Sequence, residues 1–289
     1  MAYGLLIRSA FPLPELMTAE GRQQVVVRPG KLNPLLPGGD KECENFLVTK
    51  DGICLFWKKV GKIFVREGRE IIVDPAPEVD EGTIRLFILG PALGAVLHQR
   101  GRLVLHGSAV TMHGETVAFL GEEETGKSTL AVALYVNGYS VVADDLVALQ
   151  IENGSSKIFP SAPRLKLSPQ VVSFGDFEKT HQISYPSFEI RSYLVDKKFS
   201  PQPLYLKRIY ILGESEDQKI ERLPPQEALM ELIRHSYCAR LISDAEAPLH
   251  LLQCATLVNR IPIFRLKRPR SISSLPDVVR MVEKDLASN

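Results

Sequence analysis

GEEETGKST, residues Gly121 to Thr129, carries the frame GxxxxGK[ST] in full. Such a frame cradles phosphate only where a strand leads in and a helix leads out. Both are predicted here. Val117 to Leu120 reads as a strand, and KSTLAVALYVNG (127–138) reads as a helix of good formers closing at Asn137-Gly138. In that setting the backbone of Gly121, Glu122, Glu123, Glu124, Thr125, Gly126, Lys127, Ser128 and Thr129 turns N–H groups toward the phosphates of a nucleotide. Lys127 reaches the terminal phosphates and Ser128 ligates magnesium, so ATP and Mg2+ are the expected cofactors. Three consecutive glutamates sit awkwardly beside a polyanion. In a phosphate cradle, however, the side chains project outward, and each screened carboxylate costs about 0.5–1 kcal/mol of affinity. The alternative is a decayed loop, against which Gly126, Lys127, Ser128 and Thr129 all speak.

Working outward, SVVADD (140–145) predicts a buried strand that ends in Asp144 and Asp145. Strand ends in a doubly wound sheet line the same edge as the phosphate loop. Two acids there divide naturally into a metal holder and a proton acceptor, and a plain ATPase acid pair is the competing reading. His106, in VLHGSAV (104–110), either lies beside the transferred phosphate or is bonded inside a strand end. Arg164 and Lys166 alternate with leucines in PRLKL and fall on one face, facing either a substrate or solvent. RLKRPR (265–270) reads as surface, His235 and Tyr237 as helix packing, and Trp57 as core.

The rest of the chain sets the frame. Its 289 residues are 45% hydrophobic and 24% charged with a net charge of +1, ordinary for a globular protein. That balance gives no global attraction to nucleic acid or to an anionic membrane. Cys43, Cys54, Cys238 and Cys254 form no CxxC pair and are expected as reduced thiols. With no signal-peptide pattern and no spanning apolar run, a cytoplasmic location is expected. Residues 1–85 read as a small β-rich domain with turns at Asp51-Gly52, Val60-Gly61 and Glu67-Gly68, and PLLPGGD (34–40) as loop punctuation. Residues 86–289 read as the nucleotide-binding domain. One helix over TIRLFILGPALGAVLHQRG (83–101) leads into it, and it is loop-rich from Gly154 to about Ser187. Further on come the strand RIYILG, helices over PPQEALMELIRHSY and APLHLLQCATLVNR, the strand IPIFRLK, and a terminal helix from Ser274.

LHGSAV, GEEETGKSTLA and GYSVVADDLVAL, in this order and spacing, resemble the HPr serine kinase family, in particular its shorter HPr-kinase-like relatives. The likeness continues in GPALGAVLHQRG, PRLKL, EALMELIRHSY and IPIFRLKRPRSISSLPDVV, covering residues of about 50 to 285. It implies an α/β fold like the catalytic domain of phosphoenolpyruvate carboxykinase, with a mixed twisted sheet. It also implies phosphoryl transfer to a serine hydroxyl, with Asp144 as acid/base, Lys127 on the phosphates, Ser128 and Asp145 near the metal, and His106 close by. The family's second signature after the acid pair is absent, and FPSAPRLKL stands in its place. That speaks against HPr as acceptor and against the reverse, phosphorolytic reaction. Relatives of the shorter type occur with machinery for ribosomally made peptides, including lasso peptides. The expected acceptor is therefore a serine in a peptide or small protein, with a homo-oligomer left open. A small-molecule hydroxyl kinase and a nucleotide-binding scaffold without transfer activity are the alternatives.

Overall fold

The computed structural model describes residues 1–32, 46–152, 155–167, 182–185, 190–195, 199, 201–237, 239–243 and 246–288. The expected loop at 34–40, with Cys43 and Cys238, lies outside them. The N-terminal strands are β1 (Ile7–Ser9), β2 (Val25–Pro29), β3 (Phe46–Thr49), β4 (Gly52–Trp57), β5 (Gly61–Arg66) and β6 (Glu70–Pro75). The three predicted glycine turns separate β3 through β6, and the six strands form one sheet in the order β1-β2-β6-β5-β4-β3.

α1 (Glu81–Phe87) starts where Asp80 accepts the Thr83 N–H at 2.8 Å, a side-chain cap on an otherwise orphaned donor. The single helix expected here is interrupted. Pro91 cannot donate to the ladder, and residues Ile88–Ala92 widen into a π segment before α2 (Leu93–Gln99) resumes.

Next come β7 (Leu103–Met112), β8 (Glu115–Leu120), α3 (Lys127–Val136), β9 (Ser140–Glu152), β10 (Ser155–Phe159), β11 (Arg164–Leu167), β12 (Gln182–Tyr185) and β13 (Ile190–Leu194). The last part holds β14 (Leu204–Glu214), β15 (Lys219–Arg222), α4 (Pro225–Arg234), α5 (Ala247–Arg260), β16 (Ile263–Arg268) and α6 (Leu275–Ala287). The central sheet runs β10-β9-β7-β8-β14-β16-β15, and β11-β13-β12 form a small third sheet. Within the central sheet β8, β14 and β16 pair in parallel while β7 pairs antiparallel with both β8 and β9, so this sheet is mixed. The architecture is α/β.

Successive residues of β8 point to opposite faces, as a strand requires. Phe119 joins the core under α3 and α6, while Ala118 and Leu120 join the core under α4 and α5. A third core ties the N-terminal sheet to the helical segment 81–99 and to Val104, Leu146 and Ala148 of the central sheet. Two expectations are corrected. β9 does not end at the acids but continues to Glu152, because antiparallel pairing with β7 persists through Ser108↔Asp144 and Gly107↔Asp145. Part of the expected loop-rich stretch pairs as β10, β11 and β12. Among the described residues no helix is long and apolar enough to cross a membrane.

Candidate active site

The loop between β8 and α3 is tied to itself. The Thr125 hydroxyl donates to the Glu122 carbonyl at 2.9 Å, and Lys127 Nζ donates to the carbonyls of Gly121 and Glu122 at 2.8 and 2.6 Å. Gly126 is left-handed at φ +87°, which favours glycine, and a Cβ there would push the Arg268 guanidinium aside. Glu122, Glu123 and Glu124 are all exposed, as expected from their outward projection. Glu124 itself takes φ +60°, a conformation glycine would adopt more easily. Lys127 is buried, which pulls its ammonium below the usual value against the opposing charges of Asp144, Asp145 and the loop glutamates. Ser128 and Thr129 follow in the first turn of α3.

The two acids occupy different worlds. Asp144 is buried and accepts three hydrogen bonds: from Ser108 Oγ at 2.7 Å, Ser128 Oγ at 2.8 Å and the Lys166 backbone N–H at 2.9 Å. Asp145, at φ +78°, pairs with Lys166 Nζ at 2.7 Å and lies 3.7 Å from His106 Nδ1. Burial pushes the Asp145 carboxyl up, but Lys166, His106 and Arg164 together hold it below the ordinary value. His106 is held below its usual value chiefly by burial, and its Nδ1 has no hydrogen-bond partner among the described residues.

Asp145, His106 and Lys166 open onto a cleft of about 470 Å³, with Gly121, Glu122 and Glu123 on one wall. The same lining includes residues that the sequence reading did not assign to the site. Leu86 and Phe87 come from the end of α1, Pro91 from the π segment, and Arg234, His235, Ser236 and Tyr237 from the end of α4 and the residues after it. His235 and Tyr237, expected as helix packing, stand here because α4 stops at Arg234 and the chain then pairs with β7 through Leu105 and Ser236. The sequence carried Pro91 and Arg234 to Tyr237 within GPALGAVLHQRG and EALMELIRHSY, as part of the family likeness and without a role at the site.

Arg164 does not line the cleft. It is buried with NH1 2.9 Å from Tyr185 Oη, which in turn donates to Glu15 at 2.8 Å. Glu15 is fully buried and also takes Arg85 Nε at 3.2 Å, so the N-terminal segment, α1, β11 and β12 meet beneath the acids. RLKRPR is not simply surface either. Arg268 is buried and donates to the Thr125 carbonyl at 2.8 Å, while Arg270 pairs with Glu124 at 3.1 Å.

The donor set fits a nucleotide with a hard divalent cation. The cradle's carboxylates are turned outward, a lysine sits at its mouth, and a hydroxyl and a carboxylate adjoin where the cation would lie. Magnesium keeps most of its waters and needs few protein oxygens, so two such ligands suffice.

No family model matches the chain. The HPr kinase/phosphorylase of Treponema pallidum, in each of two strains, is 39% identical over 56 residues, which is 19% of this chain. The match spans only 18% of the length of those relatives. The structure of the Hpr(Ser) kinase/phosphatase from Coxiella burnetii aligns over 64% of this chain and 97% of that one, at 14% identity and a TM-score of 0.35. Over the stretch it shares with the Treponema proteins, this chain is HPr kinase-like.

Proposed function

We propose that this protein is a kinase that uses ATP and magnesium to phosphorylate a hydroxyl, foremost a serine of a peptide or small protein. The observation that carries the reading is the Asp144 carboxylate 2.8 Å from the Ser128 hydroxyl, beside an open cleft holding a second carboxylate. A cytosolic setting belongs to the same proposal. So does a division into residues 1–85 and a carboxykinase-like catalytic unit over 86–289, although their core is shared.

Bound at 121–129, ATP would supply the phosphoryl group and magnesium would neutralise charge on its phosphates. The geometry supports the reverse of the roles implied by the resemblance. Asp144, fixed by three donors and adjoining Ser128, is suited to the metal side. Asp145 faces the cleft and stays ionised, so it can accept the hydroxyl proton of an acceptor. Lys166 holds that carboxylate in place, with His106 3.7 Å from it, and Lys127 would exchange its loop carbonyls for phosphate oxygens. The apolar wall of Leu86, Phe87 and Pro91 would exclude water from the acceptor side.

A nucleotide-binding regulator without transfer activity is the second reading. In its favour, Lys127 and Asp145 are both already engaged within the protein. Calorimetry with ATP and magnesium, together with phosphate incorporation into a panel of serine peptides, separates the two. The kinase reading expects both in the parent and neither in Lys127→Ala. Tight ATP binding with no acceptor phosphorylated would favour the regulator.

A further inference from the structure

The helical segment over 81–99 turns one side to the cleft, and that side has a gap in it. Leu86, Phe87 and Pro91 line the cleft. Gly90 stands four residues after Leu86 and three after Phe87, so it shares their side of the helix. It is buried and lies inside the π segment Ile88–Ala92. Such segments within α-helices occur frequently at functional sites.

Neither backbone nor packing calls for glycine here. Gly90 does not take a positive φ, the conformation that favours glycine at Gly126. A glycine inside a helix is less stable than an alanine, so the missing side chain works against the fold. A Cβ built on Gly90 would make ordinary contacts. Beyond its own segment, two atoms among the described residues come within 4 Å of that position: Asp145 Oδ2 and Tyr237 Oη, each at 3.7 Å. Gly90 therefore looks onto a small space bordered by a carboxylate and a phenol, and both residues line the cleft. Lys166 Nζ holds the same carboxylate oxygen at 2.7 Å, which fixes the shape of that space.

We propose that this space receives the hydroxymethyl group of the acceptor, and that Gly90 determines how large that group can be. The proposal rests on the kinase reading above and adds a residue to it. In the transfer the acceptor oxygen bonds to the γ-phosphorus of ATP while the bond from that phosphorus to the β–γ bridging oxygen breaks. ADP leaves, and the hydroxyl proton passes to Asp145. The acceptor oxygen must then come within about 2.6–3.2 Å of the carboxylate. That puts the carbon behind it about 3.5 Å away. The side-chain carbon that Gly90 lacks would lie in the same shell, at 3.7 Å from Asp145 Oδ2. A methyl group there would take up room that the acceptor's own carbon needs.

The test is Gly90→Ala, assayed with ATP, magnesium and a serine peptide that the parent phosphorylates. The variant should keep the parent's thermal midpoint or raise it. It should also keep the parent's ATP affinity by calorimetry, because the new methyl meets Asp145 and Tyr237 and not the loop. Its kcat/KM for the peptide should fall at least tenfold, the scale of one carbon too many in a tight site. The shape of the pH–rate profile should stay as in the parent, since crowding the acceptor leaves the surroundings of Asp145 unchanged. Parent-like kcat/KM overturns the proposal and leaves the kinase reading intact. So does a loss accompanied by a shifted acid limb, because the methyl would then act by displacing Asp145. A parent that phosphorylates no serine peptide sinks the kinase reading and this proposal with it.

Discussion

The two flanks of the phosphate loop are built on opposite principles. On the acid flank, Asp144 is buried and triply bonded, and the layer beneath it links Glu15, Arg85, Arg164 and Tyr185 from four segments. On the other flank, Glu124 and Arg270 form a pair that is 83% and 56% exposed, backed by a single buried guanidinium. Charges that must hold fixed positions are sequestered and over-determined, where an unmet bond is costly. Charges that only have to tolerate a bound polyanion stay in water, where screening makes them cheap to keep.

If that contrast is sound, stability should divide between the flanks. Glu15→Ala is expected to have the largest effect. It strips Arg85 and Tyr185 of a fully buried carboxylate, and breaking such a pair costs about 3–5 kcal/mol. Urea denaturation would register it as a large drop in midpoint, whereas a change within error would mean that the layer beneath the acids is not structural. Ser108→Ala should cost less, about 1.5–3 kcal/mol, because Asp144 keeps two of its three donors.

Acid should act through the same flank and its surroundings. Burial is the leading cause that holds His98, His106, His235 and His250 below the ordinary imidazole value. Their contribution is complete above about pH 6.5 and is lost as pH falls beneath it, because the unfolded chain takes up protons first. Asp145, also held low, adds a further loss as pH falls through the carboxylate range. Thermal midpoints should therefore drop steadily from about pH 7 to pH 5. A flat profile would contradict the burial assigned to these side chains.

The smallest effect belongs to the exposed flank. Glu124→Gly relieves a left-handed non-glycine residue but adds chain entropy, for a net change within about 1 kcal/mol. ATP affinity should be equal or tighter. A sharp loss would give the carboxylate a positive role and blur the distinction between the flanks.

The same contrast marks what the sequence could disclose. The phosphate loop, its helix and the glycine turns of the first sheet are local, written in residues a few positions apart, and all were legible. The acid flank is not local. Tyr185 and Glu15 are 170 positions apart, and nothing in PRLKL told that Arg164 would be drawn into their network and away from the cleft. The end of β9 was misplaced because two acids resemble a strand terminus, yet a single left-handed residue at Asp145 lets the pairing continue. Arg268 was read as surface because charge runs usually are. Its burial depends on the Thr125 carbonyl, which only the folded loop presents.

The most direct measurement sets Asp144→Asn beside Asp145→Asn. Each variant would be titrated with ATP in the presence and absence of magnesium and assayed for phosphate incorporation into an acceptor that the parent modifies. Asp144→Asn should lose the magnesium-dependent part of ATP affinity, because the carboxylate beside Ser128 is gone. Asp145→Asn should bind ATP with magnesium like the parent but transfer phosphate about 100-fold more slowly or worse. The opposite split, with magnesium dependence lost at Asp145 and only transfer lost at Asp144, would contradict the account.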